Sequence, residues 1–242
     1  MPDFDKYDHY QRAVQSPPHT CNLLMEIYGT KKGRPKPRIL REDFSGTFAN
    51  SMAWVQRSPR NVAIAVDNDP EPLAYGVKAV PGALTRTQQK RLSVYQADVR
   101  YTKFPMADMI YAFNYSCGYF LHRPALKDYF KKCLPKLRAH GMLVIDCLMD
   151  SNKDRSERKV GDFTYVWQRH SFDVLNRHAR YAIHFERPGE APRLDTFTYD
   201  WRMWTPAELN DCLLEVGFSE VTFFVDDRQL TNPRVVHVAA RV

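Results

Sequence analysis

Residues 38–47, Arg-Ile-Leu-Arg-Glu-Asp-Phe-Ser-Gly-Thr, decide the fold of this chain. The first half is a short apolar segment that ends in acidic residues, and the second half is a loop of small residues around Gly46. The residues after it, 48–56, have helical character. A strand, a tight loop and a helix in this order form the first unit of an α/β domain. Gly46 allows the backbone of the loop to approach a ligand closely.

The same unit recurs downstream of this stretch. Further strands are predicted at 61–67, 92–97, 108–113 and 142–147, and helices at 70–78 and 124–137. The run 61–67 is nearly continuously apolar, which is typical of a strand that helices cover on both faces. Strands that alternate with helices predict right-handed crossovers and a mainly parallel sheet.

The pattern changes after Asp150. Three stretches, 163–169, 181–186 and 196–202, alternate polar and apolar residues with period two. They predict an antiparallel β insertion of two or three strands within 155–203, which could serve as a lid or as a dimer contact. A helix then begins at Thr205-Pro206, where Thr205 can cap it, and ends at Gly217.

Two closing strands are predicted at 220–225 and 235–242. The connection between them is too short for a crossover helix, so they should pair antiparallel. The expected fold is therefore α/β: a three-layer sandwich with a mainly parallel seven-stranded sheet whose last strand is reversed. We expect one domain over 1–242, with an N-terminal helical extension over 1–36 that contains a helix at 19–28.

Composition narrows the class of protein. The 242 residues are 44% hydrophobic, which is enough for one sizeable core. The start of the chain is polar and acidic, and no apolar run approaches the roughly 20 residues that span a bilayer. We therefore expect a cytoplasmic protein with no membrane partner. The five cysteines are scattered, without C-x-x-C or zinc spacing, so no metal site is predicted.

The net charge of +7 would attract nucleic acid. Its two concentrations have simpler explanations, however. The run 31–38 contains two prolines and a glycine, which is typical of a solvated loop. The lysines within 127–138 fall on the outer face of an amphipathic helix. Nucleic acid is thus not the favoured partner.

Polar residues follow four successive predicted strands. Residues 42–47 follow the first, Asp67 the second, Asp98 the third and Asn114 the fourth. Ligands of open α/β sheets bind at the carboxyl ends of the strands, where the strand order reverses. A carboxylate at Asp67 can accept hydrogen bonds from both hydroxyls of a ribose, and one at Asp98 from an adenine amine. Asn114 offers a donor and an acceptor.

An acid at a strand end is often only a helix cap, and Asp67 and Asp98 are each open to that interpretation. The complete set of four favours a nucleoside ligand. A dinucleotide is disfavoured, because the sequence contains neither G-x-G-x-x-G nor G-x-x-x-x-G-K-[ST]. An adenosyl ligand without a phosphate fits better than the cofactor of a dehydrogenase.

These motifs resemble those of the class I S-adenosylmethionine-dependent methyltransferases, over roughly Arg38 to the C-terminus. The first family motif is similar to 42–48, the second to 65–70, the third to 96–99 and the fourth to 108–114. The segments 134–146 and 204–218 resemble later parts of the same fold. Residues 10–15 together with 40–47 also resemble an uncharacterised bacterial branch of the superfamily.

The resemblance implies S-adenosylmethionine as cofactor and S-adenosylhomocysteine as product. It places Asp67 at the ribose and Asp98 at the adenine. The residues expected to bind the cofactor are Arg41, Glu42, Phe44, Ser45, Gly46, Asp67, Asn68, Asp98, Val99 and Asn114. For Arg41 a pairing with Glu42 or Asp43 is equally open. Phe44 and Phe48 stand where the family usually has glycines.

The implied reaction is an in-line displacement at a sulfonium methyl group, which positioning and desolvation accelerate. A general base is needed only if the acceptor must lose a proton. The weak catalytic candidates are Tyr115 and His122, just beyond Asn114. Side chains of the insertion could line the acceptor side: Tyr199, Trp201, Arg202 and Trp204.

A small-molecule acceptor is favoured, because the Asn-Pro-Pro-Tyr motif and any recognisable RNA-binding appendage are absent. One alternative is an RNA or protein methyltransferase that uses the positive charge. Another is a non-catalytic scaffold that binds an adenosyl ligand, which the missing glycines at Phe44 and Phe48 would favour. The sequence leaves a monomer and a homodimer equally open.

Overall fold

The computed structural model describes residues 4–29, 35–101, 103–148, 154–225 and 235–241. The basic residues 31–34 and the connection 226–234 therefore lie outside the described residues. In the described part of the chain, the helices are α1 Lys6–Val14, α2 Pro17–Tyr28, α3 Ala49–Arg57, α4 Pro70–Ala83, α5 Arg86–Gln89, α6 Arg123–Cys133 and α7 Pro206–Val216. None of these helices is long and apolar enough to cross a membrane.

The strands form two sheets. They are β1 Ile39–Asp43, β2 Val62–Asp67, β3 Leu92–Gln96, β4 Ala107–Ala112, β5 Leu137–Leu148, β6 Arg155–Val160, β7 Phe163–Asp173, β8 His178–Glu186, β9 Arg193–Arg202, β10 Glu220–Val225 and β11 Val235–Arg241. The larger sheet has the order β10-β11-β5-β4-β1-β2-β3, and the smaller one the order β6-β7-β8-β9.

The larger sheet is parallel except at β11, which runs antiparallel to both β5 and β10. The predicted seven-stranded sheet with a reversed last strand is thereby confirmed. Strand β1 lies between β2 and β4, and both pairings are parallel. The chain leaves β1 in one direction for β2 and β3, and returns on its other side through β4. This reversal opens a crevice at the carboxyl ends of β1 and β4.

Helices cover both faces of this sheet. Leu24 of α2 and Trp54 of α3 pack with Leu40 and Met109 on one face. On the opposite face, α6 and α7 pack against Ile110, Leu143, Ile145 and Val238, through Leu126, Phe130, Leu209 and Leu213. The predicted three-layer sandwich is thereby confirmed. Because β1 is covered on both sides, four of its five residues are buried, including its charged ones.

The insertion is antiparallel, as predicted, but it has four strands instead of two or three. The extra strand is β6, Arg-Ser-Glu-Arg-Lys-Val, whose side chains are almost all exposed. An exposed edge strand needs no apolar alternation, so its sequence carries no strand signal. The predicted start of the fifth strand at 142 is also wrong, because β5 begins at Leu137. His140 adopts a φ of 66° there, beside a shift of register with β4.

Candidate functional site

A cavity of about 750 Å³ opens at the carboxyl ends of the central strands. One half of its wall comes from the strand ends, which contribute Phe44, Ser45, Gly46, Thr47, Asp67, Asn68, Asp69, Asp98, Val99 and Asn114. The other half is largely aromatic and comes from α1, from the segment after β4 and from β9, through Tyr7, Tyr10, Tyr119, Phe197, Tyr199 and Trp201. The four strand ends singled out in the sequence thus meet in one cavity.

The loop after β1 keeps an open path although only one glycine remains in it. Phe44, Gly46 and Phe48 all have left-handed backbone, with φ of 55°, 52° and 47°. For each phenylalanine this conformation costs roughly 1–2 kcal/mol. Phe48 is fully buried and its ring lies against Gly76 of α4, away from the cavity.

Phe44, by contrast, does line the cavity. Its ring stacks on Tyr119 with 6.2 Å between centroids and meets Tyr129 edge-on at 6.0 Å. It therefore forms part of a wall that packs against α6 and leaves the cavity open. Neither phenylalanine closes the site. The replacement of the two glycines by Phe44 and Phe48 therefore no longer supports a non-catalytic scaffold.

Asp67 ties β2 to the loop after β1. Its Oδ2 accepts a hydrogen bond from the Gly46 N–H at 2.6 Å, and its Oδ1 accepts one from the Asp69 N–H at 2.9 Å. Burial raises the pKa of Asp67, while these two N–H groups favour its ionised form. Each carboxylate oxygen keeps a lone pair with which it can accept a hydrogen bond from a ligand hydroxyl.

Asp98 lies on the rim of the same half. The Arg100 side chain donates to both of its carboxylate oxygens, at 2.9 Å from Nε and 2.6 Å from Nη2. These bonds lower the pKa of Asp98, so its carboxylate is ionised at neutral pH. Asn68 and Val99 line the cavity beside it.

Arg41 does not reach the cavity, which corrects the prediction of direct contact with the cofactor. Its side chain is completely buried and donates to both carboxylate oxygens of Asp43, at 2.7 and 3.0 Å. Nη2 also donates to the Val99 carbonyl at 2.5 Å. The buried guanidinium therefore fixes the backbone of Val99, which lines the cavity. The alternative that Arg41 pairs with Asp43 is confirmed.

Glu42 needs a similar correction, because it is buried and its carboxylate points into the protein. Its Oε1 accepts from Asn50 Nδ2 at 3.0 Å, and its Oε2 accepts from the Ser51 N–H at 2.8 Å. These donors belong to the first turn of α3, whose N-cap residue, Phe48, makes no side-chain cap bond. Glu42 thus caps α3 from β1 and does not line the cavity.

Asn114 lines the cavity, and its neighbour Tyr115 does not. The Tyr115 ring meets Trp201 edge-on at 6.1 Å, behind the wall of the cavity. Burial raises the pKa of Tyr115 well above its ordinary value, which makes it a poor proton acceptor at neutral pH. The structure therefore removes Tyr115 from the catalytic candidates. His122 stays a candidate, because it lines the cavity just before α6 begins.

Two of the four insertion residues proposed for the acceptor side line the cavity, namely Tyr199 and Trp201. Arg202 and Trp204 do not. Arg202 Nη2 pairs with Glu208 at 2.9 Å, and Trp204 is buried with its Nε1 donating to the Phe120 carbonyl at 3.1 Å. Arg202 is the last residue of β9 and Trp204 follows two residues later, so both lie at the junction with α7.

Helix α1 contributes cavity residues that the sequence analysis missed. Tyr7 and Tyr10 line the cavity, and Gln11 Nε2 donates to Thr47 Oγ1 in the loop after β1 at 2.7 Å. The helix is capped by Asp5, which accepts from the Tyr7 N–H at 2.9 Å. The cap and the apolar spacing of Tyr7, Tyr10 and Val14 were the available signals.

In the described part of the chain, one group of side chains has a geometry that could hold a metal ion. His170, His184 and Asp195 of the insertion place ligand atoms within 4.8 Å of one another. His184 Nδ1 accepts a hydrogen bond from the Asp195 N–H at 2.7 Å, and its Nε2 lies 3.1 Å from Gln168 Oε1. Both ring nitrogens are thus engaged, and the group forms a hydrogen-bonded network.

No protein-family model and no curated protein matches the chain. Solved structures do match along its whole length. One is a S-adenosylmethionine-dependent methyltransferase from Clostridium acetobutylicum, with a TM-score of 0.70, 16% identity and coverage of 98% of both chains.

Another is an S-adenosylmethionine-bound amino pentose methyltransferase from Micromonospora echinaspora that is involved in calicheamicin biosynthesis. It matches with a TM-score of 0.73, 16% identity and coverage of 100% of this chain and 99% of its own. A sugar N-methyltransferase from a Streptoalloteichus species gives a TM-score of 0.71 at 18% identity, over 100% and 95%. At such identities the similarity shows a shared fold, and it confirms the class I methyltransferase fold implied by the motifs.

Proposed function

We propose that this protein is a methyltransferase that uses S-adenosylmethionine and acts on a small molecule. The observation that carries the proposal is the carboxylate of Asp67, which is fixed by the Gly46 N–H and faces a cavity at the reversal of strand order. A volume of about 750 Å³ lies within the usual range for small-molecule sites. The methyltransferase fold of the similar structures supports the same assignment.

The two halves of the cavity suit two ligands. The strand-end half offers the carboxylates of Asp67 and Asp98 to the hydroxyl and amine groups of an adenosyl moiety. The aromatic half offers Tyr119, Tyr199 and Trp201 to the acceptor. We therefore place the cofactor in the first half and the acceptor in the second, with Phe44 between them.

The cofactor would supply a methyl group on positively charged sulfur, where the charge is neutralised during transfer. The aromatic walls would exclude water and stabilise positive charge through their π faces. Strand ends and α1 would hold the two reactants in line, which is the main source of acceleration expected for such a displacement. Because it lines the cavity, His122 would accept the proton that an acceptor loses.

We further infer that the acceptor is an amine on a hydroxylated small molecule. Two of the similar structures are described as an amino pentose methyltransferase and a sugar N-methyltransferase. In this chain, Tyr10 and Tyr199 line the acceptor side and their hydroxyls hydrogen-bond each other, which leaves the pair one O–H donor for a sugar hydroxyl. No feature of the cavity favours RNA or a protein as acceptor. Location in the cytoplasm and oligomeric state stay predictions.

The test is a calorimetric titration of S-adenosylmethionine and S-adenosylhomocysteine into the wild-type chain, Asp67→Ala and Asp173→Ala. Asp173 is a matched control, since its carboxylate also accepts a backbone N–H, from Leu175 at 2.9 Å, in the β7–β8 turn. We expect micromolar binding, about −8 kcal/mol, in the wild type and the control. Asp67→Ala should bind at least about tenfold more weakly, a loss of about 1.4 kcal/mol.

A wild-type chain that is folded but binds neither compound at millimolar concentration would refute the proposal. If binding is found, transfer of an isotopically labelled methyl group to a panel of amino sugars and simple amines tests the acceptor class. Transfer to hydroxyl compounds alone would contradict the amine assignment and leave the cofactor assignment standing.

A further inference from the structure

Asp146 lies near the end of β5, where its buried side chain binds the segment that follows β4. Its Oδ2 accepts a hydrogen bond from the Asn114 N–H at 2.9 Å, and its Oδ1 accepts one from the Tyr115 N–H at 2.8 Å. One carboxylate thus holds two consecutive backbone donors across neighbouring strands. The residues involved are far apart in sequence, so this contact depends on the tertiary fold.

The backbone that Asp146 holds is unusual. Asn114 and Tyr115 have φ of 59° and 60°, so two consecutive residues with side chains adopt left-handed conformation. Such a conformation is unfavourable for residues other than glycine, and it persists only where the surroundings impose it. Charge-assisted hydrogen bonds to an ionised carboxylate are among the stronger contacts that can impose it.

This backbone forms the wall of the cavity between its two halves. Asn114, Ser116 and Tyr119 line the cavity, and the turn closes through a hydrogen bond from the Gly118 N–H to the Tyr115 carbonyl at 2.8 Å. If Asn114 and Tyr115 relaxed to ordinary backbone angles, the side chains after them would leave their present positions.

We propose that Asp146 is a positioning residue, whose ionised carboxylate keeps 114–119 in the conformation that forms the cavity wall. The proposal rests on the proposed function only in assigning that wall to a methyltransferase site. A carboxylic acid has a hydroxyl in place of one acceptor oxygen, and this hydroxyl would face an N–H donor. Proton uptake by Asp146 therefore releases one of the two backbone contacts and loosens the wall.

The surroundings of Asp146 bring the pKa of its carboxyl group close to physiological pH. Burial raises its pKa to about 7, with the Asn114 and Tyr115 N–H groups acting in the opposite direction. The titratable groups around it are Tyr115, Cys117 and Cys147, Tyr10 of α1, and His237, which stands opposite Asp146 in the register of β11. The pKa values of Cys117, Tyr115 and Tyr10 are raised mainly by burial, so these three groups stay neutral near pH 7.

Two effects of pH then run in opposite directions. The folded-state pKa of Asp146 lies above its ordinary value, so the folded chain binds the proton more tightly, and the contribution of Asp146 to global stability falls as pH rises from about 4 to about 7. The order of the wall, in contrast, rises as the carboxylate ionises. A purely structural role would predict only the first trend.

The experiment is hydrogen–deuterium exchange of peptides that cover 113–120, from pH 6 to pH 8.5, corrected for the intrinsic pH dependence of exchange. The chains are wild type, Asp146→Asn, His237→Asn and the matched control Asp108→Asn. Asp108 Oδ2 also accepts from two consecutive N–H groups, those of Arg38 and Ile39, both at 2.8 Å. That contact lies at the amino ends of β1 and β4, at the opposite end of the strands from the cavity, so it controls for the loss of a doubly bonded carboxylate.

We expect protection of 113–120 to fall about tenfold between pH 8 and pH 6 in the wild type, since a group with a pKa near 7 is then about nine-tenths protonated. Asp146→Asn should show the low protection at every pH, because the amide places a donor against an N–H. Asp108→Asn and His237→Asn should keep the wild-type profile. A flat wild-type profile, or a profile abolished by His237→Asn, would overturn the proposal.

The wild-type series decides the matter even if Asp146→Asn does not fold. S-adenosylhomocysteine affinity, measured in parallel, separates this inference from the proposed function. We expect the dissociation constant of Asp146→Asn to be higher than that of the wild type, because Asp146 holds the backbone of Asn114, which lines the cofactor half of the cavity. Asp108→Asn should keep the wild-type value. A flat protection profile in a wild-type chain that still binds S-adenosylhomocysteine refutes the role of Asp146 alone. A pH-dependent profile in a wild-type chain that does not bind S-adenosylhomocysteine refutes the function alone.

Discussion

Replacement of Gly76 by alanine tests how α4 and the loop after β1 fit together. A Cβ atom at Gly76 would lie 2.4 Å from Cε1 of Phe48 and 2.5 Å from the Thr47 carbonyl oxygen. Since ordinary contacts of a Cβ begin at 3.4 Å, the loop or the helix must move by about 1 Å. Overpacking of this kind in a close-packed core costs about 1–3 kcal/mol.

For a chain of this size, 1 kcal/mol corresponds to a shift of about 2–4 °C in Tm. Gly76→Ala should therefore lower Tm by about 2–12 °C in a calorimetric scan. Because Thr47 and Phe48 belong to the candidate cofactor loop, the affinity for S-adenosylhomocysteine should fall as well, by about tenfold for each 1.4 kcal/mol of strain that binding must relieve.

Gly82→Ala is the matched control, because Gly82 lies in the same helix and nothing is within 4 Å of a Cβ built there. Alanine is the better helix former by roughly 0.5–1 kcal/mol, so this variant should be neutral or slightly more stable. Equal Tm values for the two variants would refute the reasoning. So would a destabilised Gly76→Ala that binds the ligand with wild-type affinity, since the strain would then lie outside the loop.

Three further substitutions should lower the free energy of unfolding measured in urea. Arg41→Met leaves the buried Asp43 carboxylate without its cationic partner and with the Tyr129 hydroxyl as donor, and it should cost about 3–5 kcal/mol, more than the loss of any exposed ion pair. Gly118→Ala places a Cβ 2.8 Å from Cγ of Trp201 and should cost about 1–3 kcal/mol. Thr205→Ala removes one half of the capping box of α7 and should cost about 1 kcal/mol.

The sequence predicted the larger sheet well because strands such as β2 and β4 are largely apolar and are followed within two residues by Asn68 and Asn114. Strand β6 was not predicted because it is an exposed edge strand, and helix α1 was not predicted for a different reason. Helix α1 is held by long-range contacts, such as Lys6 with Glu71 of α4 at 2.6 Å and Arg12 with Asp162 of the insertion at 2.7 Å. Because the helix has only nine residues, its cap and its apolar spacing are weak signals beside these long-range contacts.

The candidate site was likewise predicted well in some residues and poorly in others. Residues at or just beyond a strand end, such as Asp67 and Asn114, were placed correctly at the cavity because topology alone brings strand ends together. Arg41 and Glu42 lie one step earlier, within β1, where alternate side chains point into the two helical layers. Arg41 and Glu42 are close to the loop in sequence, but this closeness does not tell whether a side chain faces the cavity or the core.

The loop after β1 lacks two of the glycines usual in the family, and the loop and helix α4 together make up for them. A glycine permits a left-handed backbone and also leaves space for a neighbour. Here the backbone angles are kept by Phe44 and Phe48, at a conformational cost, while the space for the Phe48 ring is provided by Gly76 on the facing helix. The ring fills a groove in α4 instead of the cavity. Counting glycines within the loop therefore underestimates its capacity to bind a ligand, because the compensating glycine lies about 30 residues downstream.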